Sequence, residues 1–252
     1  MKTRFLLSKN KPARIPIAVI FVLFSYFFSQ VLAGIIIYAV LAVQGYNESE
    51  ISNILSDSTL SQFTFLGFAM AGELVLFYGL VKYLNLYIDY LKPKNFKLEN
   101  IWIIAVAIGA YMALSTLAMD LFKGLIDEDQ KQIIGFENVN GGLELVMVFV
   151  ALVILAPLAE EIIFRGYLFG EFKHKVNFII SALLVSVIFG LFHLQLGSGK
   201  PPLWAGFIDT FALSLVLCYI REKTNTIWYG VGVHSLKNFL AFLLLFVLHL
   251  NI

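Results

Sequence analysis

Charge is what this sequence has least of. Only 14% of its 252 residues are Asp, Glu, Lys or Arg, while 60% are hydrophobic and mean hydropathy is +0.84. Soluble domains run near about 25% charged, so the composition excludes an ordinary soluble protein and indicates a polytopic membrane protein. The formal net charge of +1 gives no basis for nucleic-acid binding. With one cysteine, Cys218, there can be no internal disulfide, and its apolar setting fits a buried, inert thiol. The chain has no internal repeat, no low-complexity tract and no stretch long and polar enough for a separate soluble domain. Residues 1–252 therefore read as one membrane-embedded domain, all-α, a helical bundle of seven to eight transmembrane helices.

What is present is a series of apolar runs separated by short polar segments. The first run covers about Ile15 to Val43, after a basic amino terminus carrying Lys2, Arg4, Lys9, Lys11 and Arg14. Ser29 to Gly34 faintly resembles a signal-peptidase site, but the apolar run continues past it, longer than a signal peptide's core, so a retained first span is expected. Further spans are expected at about Gln62 to Val81, Ile101 to Leu121, from Leu143 to just before Glu171, Val176 to Leu196 and Leu203 to Ile220. The apolar tail from Ile227 to Ile252 makes one long span or two short broken ones, which leaves the count at seven or eight. A polar loop is expected after the first span. Basic segments alternate with acidic ones along the chain. By the positive-inside rule the amino terminus and the segments around Lys92–Lys97, Lys173–Lys175 and Arg221–Lys223 are cytoplasmic, and the acidic stretch Asp127–Glu137 is external.

The run Ala156-Pro157-Leu158-Ala159-Glu160-Glu161-Ile162-Ile163-Phe164-Arg165 places three charges inside the fourth span. One charge at mid-membrane costs roughly 2.5–3.5 kcal/mol on insertion scales, and such residues usually face a bundle interior or a wet cavity. On a helix, Glu161 and Arg165 stand four apart and meet on one face, whereas Glu160 lies about 100° round from Glu161 and is left without that partner. One carboxylate is thus structural and the other is free for chemistry. Two histidines lie in apolar runs: His193 closes Phe189-Gly190-Leu191-Phe192-His193, and His234 stacks over Asn238 at i, i+4. Together with Glu160 they supply a base, imidazoles and an amide donor on three helices, which is what water-mediated hydrolysis needs. Taken singly, each is also explained as interhelical hydrogen-bond glue. Glu73 and Asp209, in or near spans, read as buried partners or cavity-lining groups, and Lys237 as a snorkelling side chain.

Glu160-Glu161-x-x-x-Arg165, Phe189-x-x-x-His193 and His234-x-x-x-Asn238, in that order, resemble the three motifs of the CPBP family, which holds the type II CAAX-prenyl endopeptidases and their bacterial relatives, including bacteriocin-processing and immunity-type proteins. They span about a third of the chain, in a catalytic core at about 143–250. The resemblance implies that Glu160 activates water together with His193, that His234 and Asn238 stabilise the oxyanion, and that Glu161, Arg165 and Phe189 support the site. It implies a peptide or membrane-anchored protein substrate and a lipid bilayer as surroundings; the short chain, with no organelle signal, is expected in a bacterial plasma membrane. No cofactor is expected, since His-Glu-x-x-His, the usual helical zinc motif, is missing. The alternative is zinc held by Glu160, His193 and His234 as a two-His, one-carboxylate set. Two other functions remain open at this point: a non-proteolytic membrane regulator or bacteriocin-immunity protein on the same fold, and a transporter whose pathway is lined by the intramembrane carboxylates.

Overall fold

The computed structural model describes residues 14–83, 91, 96–126, 134–136, 138–139, 141–196 and 201–249, and within these it is an all-α bundle with no strand. The elements are α1 (Arg14–Val43), α2 (Glu48–Asp57), α3 (Thr59–Tyr83), α4 (Trp102–Leu121), α5 (Gly142–Lys173), α6 (Phe178–Leu191), α7 (Trp204–Thr224) and α8 (Trp228–Val247). All but α2 and α6 are long and apolar enough to cross a membrane.

α1 shows why this chain forms a bundle in lipid rather than a soluble core. Its buried positions are Ala18, Val22, Ser25, Ser29, Ala33 and Ile37, three or four apart, and they are mostly small. Its outward face carries the bulk: Ile20 is 63% exposed and Val31 62%, with Phe24, Phe27 and Ile35 beside them. Small residues inside let helix backbones approach, and large apolar residues outside suit hydrocarbon. The two buried hydroxyls are satisfied within the helix, Ser25 Oγ donating to Val22 O and Ser29 Oγ to Tyr26 O. Trp102, Trp204 and Trp228 open α4, α7 and α8, the interfacial placement that amphipathic indoles favour.

Three expectations are modified. The segment after the first span is not a loop: Asn47 and Glu50 form a reciprocal capping box, with Asn47 Oδ1 accepting from Glu50 N at 3.0 Å and Asn47 N donating to Glu50 Oε2 at 2.9 Å, and this starts the polar helix α2. The fifth apolar run contains only the 14-residue α6, about 21 Å at 1.5 Å per residue, shorter than a ~30 Å hydrocarbon core. The tail is a single helix through Val247, so it adds one crossing rather than two and the described residues provide seven apolar helices. The amino-terminal lysines and the residues Lys92, Lys94, Asp127–Asp129 and Glu137 lie outside the described residues.

The core is shared around α5. Ile163, Phe164, Tyr167, Leu168 and Phe172 of α5 pack with Val22 of α1, Phe77 of α3, Val185 and Phe189 of α6 and Cys218 of α7. Val148, Ala151 and Val153 pack with Phe242 of α8. A second cluster, Ala107, Tyr111, Leu213, Leu217, Tyr229 and Val233, holds α4, α7 and α8 together.

Candidate active site

α5 is not a uniform α-helix. It widens to π geometry over 150–155 and again over 161–168, with Pro157 in the α-helical segment between. π segments inside α-helices are rare and concentrate at functional sites. In the first, Ala156 N–H donates to Ala151 O, five residues back. In that register the donor for Leu152 O would be residue 157, which is proline and has no N–H. Leu152 O is taken instead by Asn238 Nδ2 of α8 at 2.8 Å. The proline thus opens a carbonyl, and the asparagine of the His234-x-x-x-Asn238 pair closes it.

The two glutamates occupy different surroundings. Glu161 and Arg165 are wholly buried, with Arg165 Nη1 donating to Glu161 Oε1 at 2.9 Å. The Arg165 guanidinium lies 4.3 Å over the ring of Phe189, a cation–π arrangement in a desolvated site. The same Glu161 Oε1 lies 3.2 Å from His234 Nδ1. A carboxylate in an ion pair only accepts, so Nδ1 of His234 carries hydrogen and Nε2 is turned toward Glu160. Glu160 Oε2 stands 3.7 Å from that Nε2 and has no hydrogen-bond partner among the described residues. The Glu160 side chain is 28% exposed against 0% for Glu161, and the part it exposes faces a cavity.

That cavity, about 280 Å³, is lined by Glu160, His193, Phe189 and Phe192 together with Tyr26 and Gln30 of α1 and Glu73 of α3, among others. His193 follows α6, and its Nδ1 lies 2.8 Å from Phe189 O. A backbone carbonyl is an acceptor, so Nδ1 is the protonated nitrogen and the Nε2 lone pair is left available. Phe189, fully buried, touches all three polar groups: its ring is under Arg165, 4.8 Å from the ring of His193 and 5.9 Å from that of His234. Two glycines allow the close approach. A Cβ on Gly206 of α7 would stand 2.8 Å from His193 O, and one on Gly230 of α8 2.9 Å from Glu161 Oε2. Leu203 N donating to Leu194 O at 2.8 Å closes the segment that carries His193.

The expected residues therefore fall into one neighbourhood, with Glu160 and His193 on the cavity wall, Glu161, Arg165 and Phe189 behind it, His234 between the two glutamates and Asn238 bound to the backbone of α5. Sequence reasoning missed the contribution of α1, which lies outside the expected core at 143–250. Tyr26 and Gln30, four apart in an otherwise apolar helix, were the available signal. Glu73, noted as a mid-span carboxylate, is part of the same wall. Lys237 does not snorkel; it pairs with Asp209 at 3.4 Å.

Residues 142–240 match the model of a family described as type II CAAX prenyl endopeptidase Rce1-like. They contain Glu160, Glu161, Arg165, Phe189, His193, His234 and Asn238, the seven residues expected of the site. This segment is similar to the CPBP family. Among the curated relatives of this chain is "Putative membrane peptidase YdiL" of Bacillus subtilis (strain 168), 32% identical over 85 residues, which are 34% of this chain and 32% of the relative. The UPF0177 protein YxdF of Lactococcus lactis subsp. lactis (strain IL1403) is 28% identical over 155 residues, 60% of this chain and 81% of that one. The uncharacterized protein YyaK of Bacillus subtilis (strain 168) is 32% identical over 108 residues, 40% of this chain and 34% of that one. The chain thus aligns with about a third of the length of both Bacillus relatives. No solved structure matches.

Proposed function

We propose that this chain is an intramembrane endopeptidase that hydrolyses a peptide bond of a peptide or membrane-anchored protein with water activated by Glu160. The observation that carries the reading is the asymmetry of the glutamate pair: Glu161 is wholly buried and held through Oε1 by Arg165 and His234, while Glu160 has no such ion pair with an arginine among the described residues, is part-exposed and lines a cavity that His193 also lines. A water between Glu160 and the Nε2 lone pair of His193 loses a proton to Glu160 as its oxygen attacks the scissile carbonyl carbon. The carbonyl oxygen becomes an oxyanion, and the donors assigned to it are His234 Nε2, when that ring is doubly protonated, and the second N–H of Asn238. Collapse of the tetrahedral intermediate breaks the C–N bond, and the proton held by Glu160 passes to the leaving amine. No acyl-enzyme forms.

The family match and the relative named as a membrane peptidase support this reading. No cofactor is part of this reading; the alternative, zinc held by Glu160, His193 and His234, is a matter for chelation and metal analysis. The test is Glu160→Gln, which keeps the shape and removes the base. Membrane peptides from cells carrying wild type and Glu160→Gln are compared by mass spectrometry, and any peptide product found is then generated with purified protein in detergent. Wild type produces fragments that the variant does not, while both fold and express alike. Fragments appearing at the wild-type rate with Glu160→Gln remove Glu160 as the base.

A further inference from the structure

A second, larger cavity lies between α4, α7 and α8, away from the glutamate pair. Its volume is about 630 Å³, within the roughly 300–1,000 Å³ of ligand sites. Most of the wall is apolar, with Met112, Met119, Leu240 and Leu244 among its residues. Four polar side chains gather in it. Asp209 Oδ1 accepts from Tyr111 Oη and from Ser115 Oγ, each at 2.6 Å, and Asp209 Oδ2 lies 3.4 Å from Lys237 Nζ. Nothing in the proposed hydrolysis uses them. α8 turns His234 and Asn238 toward α5 and Lys237, in the intervening register, toward this cavity. Ionisable residues inside a membrane bundle mark ligand or ion sites by default.

We propose that this cavity binds an anionic amphiphile, a single apolar chain ending in a carboxylate or phosphate, with the head on Lys237 and the chain along the apolar wall. The sign of the charge follows from how the pair is held. Asp209 has two short hydroxyl hydrogen bonds of its own and stays supported if the lysine turns away. Lys237 is the one cation among the residues lining the cavity, and its ammonium has three donors facing a single, long contact. Both side chains are 23% exposed, so a ligand head can reach them. An anion entering here bonds to the ammonium while Asp209 keeps its two hydroxyl donors. A bilayer supplies such amphiphiles directly. This inference stands apart from the proteolytic reading, because it uses none of the same residues.

The experiment measures binding of three labelled probes of equal chain length, palmitate, hexadecyl phosphate and hexadecanol, by equilibrium dialysis against the full chain in a neutral detergent. Either anion, or both, binds to one site, and hexadecanol binds at least about tenfold more weakly. Palmitate alone, or the phosphate alone, identifies the head. Lys237→Met lowers anion affinity about tenfold, to the level of the alcohol, and Lys237→Arg keeps it within about threefold. Leu244→Trp, which fills the chain space and leaves the charges untouched, abolishes binding of the anions and settles the matter if Lys237→Met does not fold. Absence of binding by both anions, hexadecanol binding as tightly as they do, Lys237→Met folding and binding as wild type, or unchanged binding in Leu244→Trp would each overturn the proposal.

Discussion

Glu160 and Glu161 are chemically identical neighbours, and the 100° between them on α5 gives them opposite environments. Glu161 sits with Arg165 and His234 at full burial, where a charge survives only with its partner. Removing either member leaves the other charge stranded, at a typical cost of about 3–5 kcal/mol. Glu161→Ala and Arg165→Ala are therefore expected to melt well below wild type in detergent as well as to lose cleavage, in contrast to Glu160→Gln, which loses cleavage alone. Thermal melts of the three variants check this. If the two alanine variants melt like wild type, the pair is not structural and the division of labour between the glutamates fails. Metal dependence is decided at the same residues. With water activated by Glu160 and His193, strong chelators leave cleavage intact and added zinc does not raise it. If bound zinc supplied the nucleophile, by lowering the pKa of its water to about 7, stripping it would abolish turnover. Metal content measured on the active protein, alongside its rate before and after chelation, separates the two.

At the scale of elements, much was legible because long apolar runs, i, i+4 spacings and terminal tryptophans are direct consequences of helix geometry in hydrocarbon. The bounds of α1, α3, α4 and α7 could be read that way, and so could the meeting of Glu161 with Arg165. α2 was not, because its capping box lies in a segment with too little apolar character to attract attention, and α6 was overread because its apolar run continues past the helix into Phe192 and the turn carrying His193. The π segments of α5 leave no mark in hydropathy. Only Pro157, in mid-span, hinted at a helix whose bonds must go elsewhere, and the structure shows where: to Asn238. This gives Asn238 two candidate jobs, closing Leu152 O or facing the oxyanion, and they can be told apart. Asn238→Leu removes both. Adding Pro157→Ala restores a backbone N–H that can bond to Leu152 O. If closing the carbonyl is the whole role, the double variant regains the stability and the activity that Asn238→Leu loses. With the oxyanion role proposed here, stability returns and kcat stays low. The measurements are melting temperature and kcat on one peptide substrate for the two single variants and the double.

The whole molecule is polarised along its length. At one end Lys173 of α5 meets Glu222 of α7 at 2.8 Å, Tyr229 Oη of α8 donates to Lys97 O, and Lys82, Lys175, Arg221 and Lys223 lie at the helix ends around them. At the other, Thr59 Oγ1 of α3 donates to Asn138 O near the start of α5, and the charges among the described residues there are Glu48, Glu50, Asp57, Asp120 and Glu144 with Lys123. Adjacent spans run antiparallel, so each crossing delivers its following segment to the expected end, and basic residues collect at one of them. Positive charge is retained on the cytoplasmic side. The basic end is accordingly expected inside the cell and α2 outside. Single cysteines at Ser49, Lys97 and His174, all exposed, report on this in a Cys218→Ala background. In intact cells a membrane-impermeant maleimide should label Ser49→Cys and leave Lys97→Cys and His174→Cys unlabelled until the membrane is permeabilised. The reverse pattern would invert the molecule in the membrane. Labelling of Ser49→Cys and Lys97→Cys together would mean that α3 does not cross, and would detach the Glu73 wall of the cavity from the membrane interior in which the bundle geometry puts it.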